Sequence, residues 1–294
     1  MRSGFLKTPI TYYGGKLNMV DLLLPKLDYT KKQFVSLFTG GAAVEIAKRR
    51  HDVEVWNDID NRLITFWEVV SDKEMFYKLQ ERIKKTVHAE AYHKESQKIL
   101  KRIKKEKWRQ GEEDRVINGI SKLDVAWATW VQTNMSFSNI IFGGFAFAND
   151  NSRNLKSMNQ RDKFEIDIHE RIKLVQIFNR DAIDLLKLKD TKDTFFFIDP
   201  PYLSSDQGHY KGTFSEYKFR EMCELLGKCK GTFLMTTYHE KFLDDYIERF
   251  GWIFDAKSYA LFVDGKRKDK KTKKECIITN YQIQGDLFKQ DLFC

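Results

Sequence analysis

Short apolar runs alternate along this chain with segments in which apolar residues recur at helical spacing. The runs are the length of buried strands, and the segments between them have the period of amphipathic helices. Such alternation predicts an α/β fold with a mostly parallel sheet covered by helices. The predicted strands are residues 33–38, 53–56, 174–178, 194–198 and 231–237, with 252–254 and 275–281 as a terminal hairpin pair.

The alternation is interrupted between about residues 71 and 163. The first half of this segment has helical spacing, as in 99–108, where apolar residues face a basic side. Its second half is rich in Asn, Gly, Ser and Phe and predicts loops that present polar and aromatic side chains. We therefore predict an inserted, mainly helical recognition domain at 71–163 and a main domain formed by 1–70 and 164–294. A helical cap whose loops are mere connections is the alternative.

Four predicted strands end in glycine or acidic residues. Gly40 and Gly41 follow the first strand, where glycine lets a ligand approach the backbone. Asp58, 18 residues after Gly40, is suited to accept hydrogen bonds from ribose hydroxyls, as in sheets that bind NAD or S-adenosylmethionine. Asp181 follows the third strand and can accept from an adenine amino group. No Gly-Lys-Ser/Thr follows the glycines, which disfavours bound ATP or GTP. The glycines also do not form a full G-x-G-x-x-G pattern.

The fourth of these strands ends in Asp199, Pro200, Pro201 and Tyr202. Neither proline can donate to a sheet, so the strand stops and a rigid turn places a carboxylate and an aromatic ring together. The carboxyl end of a parallel strand is where open α/β sheets bind ligands. A plain strand-ending turn is the alternative for this string taken alone.

A second glycine pair lies near the N-terminus. Gly14, Gly15 and Lys16 follow Tyr12 and precede a predicted helix at 17–24. Glycines and a lysine at a helix start predict a site for a carboxylate. The methionine moiety of S-adenosylmethionine has a carboxylate and nicotinamide does not, so this feature favours the former cofactor.

The net charge of the chain predicts a polyanionic partner. The 294-residue chain carries a net charge of +9. Residues 71–122 hold 15 Lys or Arg against 9 Asp or Glu, and 266–274 hold 7 against one. Two basic runs flanking an enzyme-like core favour a polyanion-binding surface over merely solvated faces. Charge alone leaves DNA, RNA and an anionic membrane open.

The remaining composition predicts a cytoplasmic protein without a metal. The four cysteines form no C-x-x-C pair and have no histidine at zinc spacing, which favours reduced thiols. No apolar stretch approaches the roughly 20 residues that span a bilayer. The first residues lack the apolar segment of an export signal.

The order of these motifs resembles one enzyme family over nearly the whole chain, from Thr8 to Tyr281. The motif order is that of the Dam-like, alpha-group adenine-N6 DNA methyltransferases: Tyr-Gly-Gly-Lys, Phe-x-Gly-Gly-Ala, Asn-Asp-Ile-Asp, an insert and Asp-Pro-Pro-Tyr. The resemblance implies a Rossmann-like, S-adenosylmethionine-dependent methyltransferase sheet with an inserted target-recognition domain. Two departures are Tyr12, where the family usually has Trp, and Ser36-Leu37-Phe38, where many members have Glu-Pro-Phe. The second predicts looser contacts around the methionine amino group.

The resemblance also implies roles for individual residues. Those expected at the cofactor are Tyr12, Gly14, Gly15, Lys16, Phe38, Gly40, Gly41, Asp58, Asp181, Ala182 and Asp199. The expected catalytic residues are Asp199, Pro200 and Tyr202. The expected DNA-binding residues are Asn134, Ser136, Ser138, Asn139, Arg153, Lys101 and Lys105.

These roles predict methyl transfer to adenine N6 in duplex DNA, at a short, GATC-like site. Asp199 and the Pro200 carbonyl would each accept one N6 hydrogen, and Tyr202 would stack on a base flipped out of the duplex. Position and electrostatics supply the acceleration, so we expect no metal. A cognate restriction endonuclease fits the resemblance as a partner, and the oligomeric state is open. Alternative functions are cytosine-N4 or RNA adenine methylation, or DNA binding without catalysis. A nicotinamide dehydrogenase leaves the Gly-Gly-Lys, the Pro-Pro turn and the basic insert unexplained.

Overall fold

A computed structural model describes residues 4–12, 14–103, 119–203, 214–259 and 273–283. Strands and helices alternate in it as the apolar pattern predicts. The strands are β1 (Gln33–Ser36), β2 (Val53–Asn57), β3 (Gln176–Phe178), β4 (Thr194–Ile198), β5 (Thr232–Tyr238), β6 (Ile253–Tyr259) and β7 (Lys273–Thr279). The helices are α1 (Val20–Leu23), α2 (Ala43–Ala47), α3 (Asn61–Ser71), α4 (Lys73–Lys84), α5 (Glu90–Arg102), α6 (Lys122–Met135), α7 (Ser152–Asp162), α8 (Ile166–Ile172), α9 (Ala182–Lys189), α10 (Glu216–Leu226) and α11 (Phe242–Phe250).

The strands of the described chain form one sheet in the order β3-β2-β1-β4-β5-β7-β6. β2, β1, β4 and β5 pair in parallel, whereas β7 is antiparallel to both β5 and β6. The predicted mostly parallel sheet and terminal hairpin pair are therefore confirmed. Chain order reverses between β1 and β4, and ligands of open α/β sheets bind beyond the carboxyl ends of strands at such a reversal.

The chain divides into two compact units. Unit 1 comprises Met1–Leu24, Thr39–Arg49 and Asp58–Asn179. It contains α1 to α8, and in its described core α6 packs on α3 and α5 around buried aromatic side chains that include Trp127 and Phe66. The insert boundaries at 71 and 163 stay a prediction.

Unit 2 comprises Pro25–Phe38, Arg50–Asn57 and Arg180–Cys294. Its described core lies on the sheet, where every residue of β4 is buried. Phe34 of β1 packs against Phe195 and Phe197 of β4, with ring centroids 5.9 and 6.3 Å apart. A run that is apolar on both faces is what a strand covered on both sides requires.

Several elements are shorter than predicted, each for a local reason. The helix after the glycine loop, expected at 42–50 from its apolar spacing, begins at Ala43 because Ala42 is left-handed (φ 52°) and its N–H closes a turn onto the Thr39 carbonyl. β3 begins at Gln176 because the turn after α8 extends to Val175. β7 ends at Thr279 because the Asn280 side chain bonds to the β5 backbone.

Two predicted helices also differ. Residues 17–24 form a 3-10 turn (Lys16–Met19) and the single turn α1, followed by a second 3-10 turn that contains Pro25. The second half of the predicted insert, expected to be loops, contains the three-turn helix α7.

Candidate active site

In unit 1, the loop after β1 is tied to the carboxylate of Asp58. The Gly40 N–H donates to Asp58 Oδ2 at 2.8 Å, and the Asp60 N–H donates to Asp58 Oδ1 at 2.8 Å. The Asn179 side-chain amide fixes the same residue through its carbonyl, at 2.7 Å. Each carboxylate oxygen accepts one backbone bond here, and an ionised carboxylate offers about four lone-pair sites. Asp58 therefore retains capacity to accept hydroxyl donors.

Burial sets the proton affinity of this carboxylate. Desolvation raises the pKa of Asp58 from 3.8 to about 6, and the nearby Asp60 charge acts in the same direction. The backbone donors of Asp60 and Gly40 and the charge of Arg62 act in the opposite direction without cancelling the rise. An acid with a pKa near 6 becomes protonated just below neutral pH.

Tyr12 lies against the glycine loop of the same unit. A Cβ atom on Gly41 would lie 2.9 Å from the Tyr12 Cβ, and one on Gly40 would lie 3.4 Å from the Tyr12 ring. Gly40 also has a left-handed φ of 51°. Glycine is thus required at 41 because Tyr12 packs against it. The sequence had predicted only that this glycine lets a ligand approach the backbone.

The second glycine pair surrounds Lys16. Gly14 and Gly15 are exposed, whereas Lys16 is buried and its Nζ donates to the Gly14 carbonyl at 3.1 Å. The ammonium group is therefore folded back on its own loop.

In unit 2, the carboxylate of Asp199 stands directly after β4, and its Oδ1 accepts two hydrogen bonds. Thr236 Oγ1 donates to Asp199 Oδ1 at 2.8 Å, and the Tyr202 hydroxyl donates to the same oxygen at 3.2 Å. Asp199 is half-buried, whereas Pro200 and Thr236 are buried. No role for Thr236 could be predicted from the sequence, because threonine is a common residue in strands.

The Tyr202 ring faces another tyrosine. Its centroid lies 4.3 Å from that of Tyr238, and the side chain is 8% exposed. Burial raises the pKa of Tyr202 well above its usual value, and the charges of Asp199 and Glu275 add to this. The hydroxyl is therefore a neutral donor at any physiological pH. The predicted stacking of this ring on a base remains a prediction.

Asp181 caps α9 of the same unit. Its Oδ1 accepts the Ile183 N–H at 2.9 Å, and its Oδ2 accepts Lys218 Nζ at 2.5 Å. Partial burial acts to raise its pKa, but the bonds from Lys218 and Ile183 outweigh this and hold the pKa below its usual value. Ala182, the next residue, is buried. Lys218 lies on α10, 37 residues away, and sequence spacing gave no signal for this pairing.

Phe38, at the end of β1, makes an edge contact with Phe214, with ring centroids 5.1 Å apart. The Phe38 side chain is half-buried, so part of it is open to a ligand.

Two of the expected DNA-binding residues are buried in unit 1. Asn134 is 4% exposed, and its amide donates to the carbonyls of Pro9 and Trp130. Ser136 is fully buried and bonds to His93 at 3.0 Å. A contact from either side chain to a base would require these bonds to break.

The loop after α6 exposes the other candidates. Ser138 is exposed, and Asn139 accepts from Lys156 Nζ at 3.2 Å. Arg153, half-buried on α7, is close enough to Lys156 for its charge to lower the pKa of that lysine, in addition to the larger effect of desolvation. Phe137 is 62% exposed. The loop after α6 and helix α7 thus present polar, basic and aromatic groups. Lys156 is a residue of this group that the sequence did not predict.

The backbone of this loop is strained yet anchored. Ser138, Asn139 and Phe142 have left-handed φ values of 53°, 58° and 70°. The loop is closed by the Phe137 N–H on the Gly144 carbonyl at 2.7 Å and by the Gln132 side chain, which accepts from the Phe142 N–H at 2.9 Å. A left-handed conformation costs energy for a non-glycine residue, so it persists only where the surrounding structure fixes it. Such residues are found mostly at functional sites.

The predicted basic surfaces are only partly described. Lys101 is exposed at the end of α5, whereas Lys105 and residues 266–272 lie outside the described residues. Cys223, Cys229 and Cys276 are free thiols. Across the described ranges, no group of three or more His, Cys, Asp or Glu side chains is placed to hold a metal ion. None of the helices described is long and apolar enough to cross a membrane.

Comparison with known proteins agrees with the motif order. A family model described as D12 class N6 adenine-specific DNA methyltransferase matches residues 12–261, which include Tyr12, Asp58, Asp181 and Asp199. The predicted resemblance is thereby confirmed, together with the Rossmann-like methyltransferase sheet. No curated protein matches the sequence significantly. Because the matched segment covers most of the 294 residues, the chain belongs to the D12 class of N6 adenine-specific DNA methyltransferases.

Proposed function

We propose that this DNA adenine-N6 methyltransferase takes its methyl group from S-adenosylmethionine and transfers it to an adenine flipped out of duplex DNA at a short, GATC-like site. The observation that carries the proposal is the Asp199 carboxylate, whose Oδ1 accepts hydrogen bonds from Thr236 and Tyr202 at the carboxyl end of β4. A fixed, half-buried acceptor at this position is suited to orient an amine.

The residues that would hold the cofactor have suitable chemistry. Asp58 has lone pairs left for ribose hydroxyls and is already oriented by two backbone donors. Exposed Ile59 follows it and offers an apolar surface to a ring. Tyr12 provides an aromatic wall beside the glycine loop, and Lys16 is a cation for the methionine carboxylate once it turns from the Gly14 carbonyl. When bound, S-adenosylmethionine supplies a methyl group made electrophilic by its sulfonium sulfur.

Asp181 would accept the amino group of the cofactor's adenine. Each of its oxygens already accepts one bond, from Ile183 and from Lys218, so the adenine would use a remaining lone pair or displace the ammonium group. The ion pair is partly exposed, and exposed pairs contribute only about 0–1 kcal/mol. Sharing or displacement therefore carries a small cost.

An exocyclic adenine amine is a weak nucleophile because its lone pair is delocalised into the ring. Asp199 and the Pro200 carbonyl would each accept one N6 hydrogen, which draws the nitrogen toward tetrahedral geometry and directs its lone pair. The carboxylate also stabilises the positive charge that develops on nitrogen. Proline suits this position because its fixed φ sets the direction of the carbonyl and it has no N–H to compete.

The DNA would be bound by the loop after α6 and by basic helices of unit 1. Ser138, Asn139 and Arg153 are the candidates for base contacts that are at least partly exposed. Lys156 and Lys101 are suited to phosphate contacts, which position the duplex without reading sequence. Flipping the base costs a few kcal/mol, and these contacts would offset it. A cytoplasmic location and a cognate restriction endonuclease belong to the same proposal.

Mapping the modified bases tests the proposed function. We expect incubation with unmethylated duplex DNA and S-adenosylmethionine to yield N6-methyladenine at one short motif, read by sequencing. The Asp199→Ala variant, treated in parallel, is the control for contaminating activity. Methylation of cytosine alone or of RNA alone would contradict the proposal, as would methyladenine at every sequence.

The pKa of Asp58 predicts a pH dependence of cofactor binding. The carboxyl has a pKa of about 6 in the folded protein, and only its ionised form accepts two hydroxyls fully. Affinity for S-adenosylmethionine is therefore complete only well above pH 6 and is lost as pH falls through and below this value, by up to about tenfold per pH unit. The amino acid groups of the cofactor titrate outside about pH 5 to 6.5.

Isothermal titration calorimetry between pH 5 and 7.5 measures this effect, with circular dichroism to verify that the protein remains folded. Proton release on binding near pH 5.5, seen as a dependence of the enthalpy on the buffer, is expected with it. A dissociation constant that stays flat across this range would show that Asp58 does not bind the cofactor in its ionised form.

A further inference from the structure

A threonine hydroxyl lies in the interior of unit 2, beside the transfer site. Ile198, the last residue of β4, pairs with Met235 of β5. Asp199 and Thr236 are the next residues on the two parallel strands, so the register places them side by side. Thr236 is fully buried, and its Oγ1 lies 2.8 Å from Asp199 Oδ1.

A hydroxyl in this position needs an explanation. Valine has nearly the same shape as threonine and suits a buried strand, whereas burying a hydroxyl costs free energy unless it is hydrogen-bonded. The acceptor here is a carboxylate, and a hydrogen bond to a charged acceptor is stronger than a hydrogen bond between two neutral groups. The neighbouring residue Thr237 is equally buried but points to the opposite face of the strand, as alternation along a strand requires.

We propose that Thr236 is a positioning residue for methyl transfer, a role that rests on the proposed function of Asp199. Thr236 from the sheet interior and Tyr202 from the following turn donate to the same oxygen, Oδ1. Two donors on one oxygen fix the rotation of the carboxylate about its Cβ–Cγ bond. The orientation of Oδ2 toward an incoming amine is then set before the DNA binds.

This role predicts which kinetic constant Thr236 controls. A misdirected acceptor affects the amine only during its reaction, so loss of the hydroxyl lowers kcat and leaves binding of the cofactor and of DNA almost unchanged. Small errors in placing a reacting group cost up to about 100-fold in rate. We expect Thr236→Val to lower kcat by about 10- to 100-fold.

The experiment compares Thr236→Val with two further variants in the full-length protein. Thr236→Ser keeps the hydroxyl and is expected to retain kcat within about threefold of the parent. Thr237→Val makes the same change on the opposite face of β5 and is expected to leave kcat unaltered. Single-turnover methylation of a DNA duplex gives the rate, calorimetry gives the cofactor affinity and thermal unfolding gives Tm.

The outcomes separate positioning from simple stability. A kcat for Thr236→Val equal to that of the parent overturns the proposal, as does a loss shared equally by Thr237→Val or not restored in Thr236→Ser. If Thr236→Val fails to fold, Thr236→Ala replaces it in the same comparison. If Asp199→Ala is itself active, the proposed function fails; if Asp199→Ala is inactive while Thr236→Val is fully active, only the role of Thr236 fails.

Discussion

Replacing Asp199 by alanine is expected to abolish methyl transfer while DNA binding stays close to that of the parent protein. The variant removes the carboxylate that we propose accepts the amine hydrogen and stabilises charge on nitrogen, and such interactions are strongest in the transition state. We expect the single-turnover rate to fall by more than about a thousandfold. Gel-shift measurements of the DNA and calorimetry of the cofactor determine whether binding survives.

The matched variant for this test is Asp199→Asn. Asparagine has the same shape as aspartate but carries no charge. Thr236 and Tyr202 both donate to Oδ1, so they favour the asparagine oxygen at that position and place its amide NH₂ at the position of Oδ2. An NH₂ group there cannot accept an amine hydrogen, so Asp199→Asn is expected to lose methyl transfer as Asp199→Ala does while keeping the packing around residue 199. Methylation by Asp199→Ala at a near-normal rate would refute the assigned role.

The fold could be predicted because the apolar runs are short and sharply bounded. β4 was predicted without error, since the buried run from Thr194 to Ile198 is followed by an acid and two prolines. Where the chain leaves regular structure through a side-chain bond, the pattern gave no warning. Asn280 ends β7 by bonding to the Phe233 N–H of β5, which is 47 residues away.

The candidate site was predictable only where a residue follows a strand. Asp58, Asp181 and Asp199 each follow a predicted strand, so the apolar pattern alone marked them as candidates. Thr236 and Lys218 touch two of these acids through strand register and helix placement, which one sequence does not reveal.

Polar residues of the insert show the opposite failure. The sequence around Asn134 looks like a surface that reads DNA, yet nearly all of α6 is buried, and its polar side chains are satisfied inside the protein. Gln132, for example, bonds to the His93 carbonyl and to Ser96. Composition cannot distinguish a polar side chain that is open to a ligand from one that is paired within the core.

Replacing Asp58 by asparagine is expected to weaken S-adenosylmethionine binding by about 10- to 100-fold, which corresponds to one lost hydrogen bond to a charged group. Both oxygens of Asp58 accept backbone N–H groups, from Gly40 and Asp60. Whichever way the asparagine amide is turned, its NH₂ group meets one of these donors, so the variant loses an acceptor and gains a repulsive contact.

Calorimetry with S-adenosylmethionine measures this loss, and Asp52→Asn, a change at an exposed acid six residues earlier, is its control. At saturating cofactor, kcat is expected to recover, because the role proposed for Asp58 is to bind the ribose and not to take part in the transfer. The inflection of cofactor affinity near pH 6 should disappear in Asp58→Asn, since the group with that pKa has been removed. Parent-like affinity in this variant, or an inflection that persists in it, would assign both the ribose contact and the titration to another group.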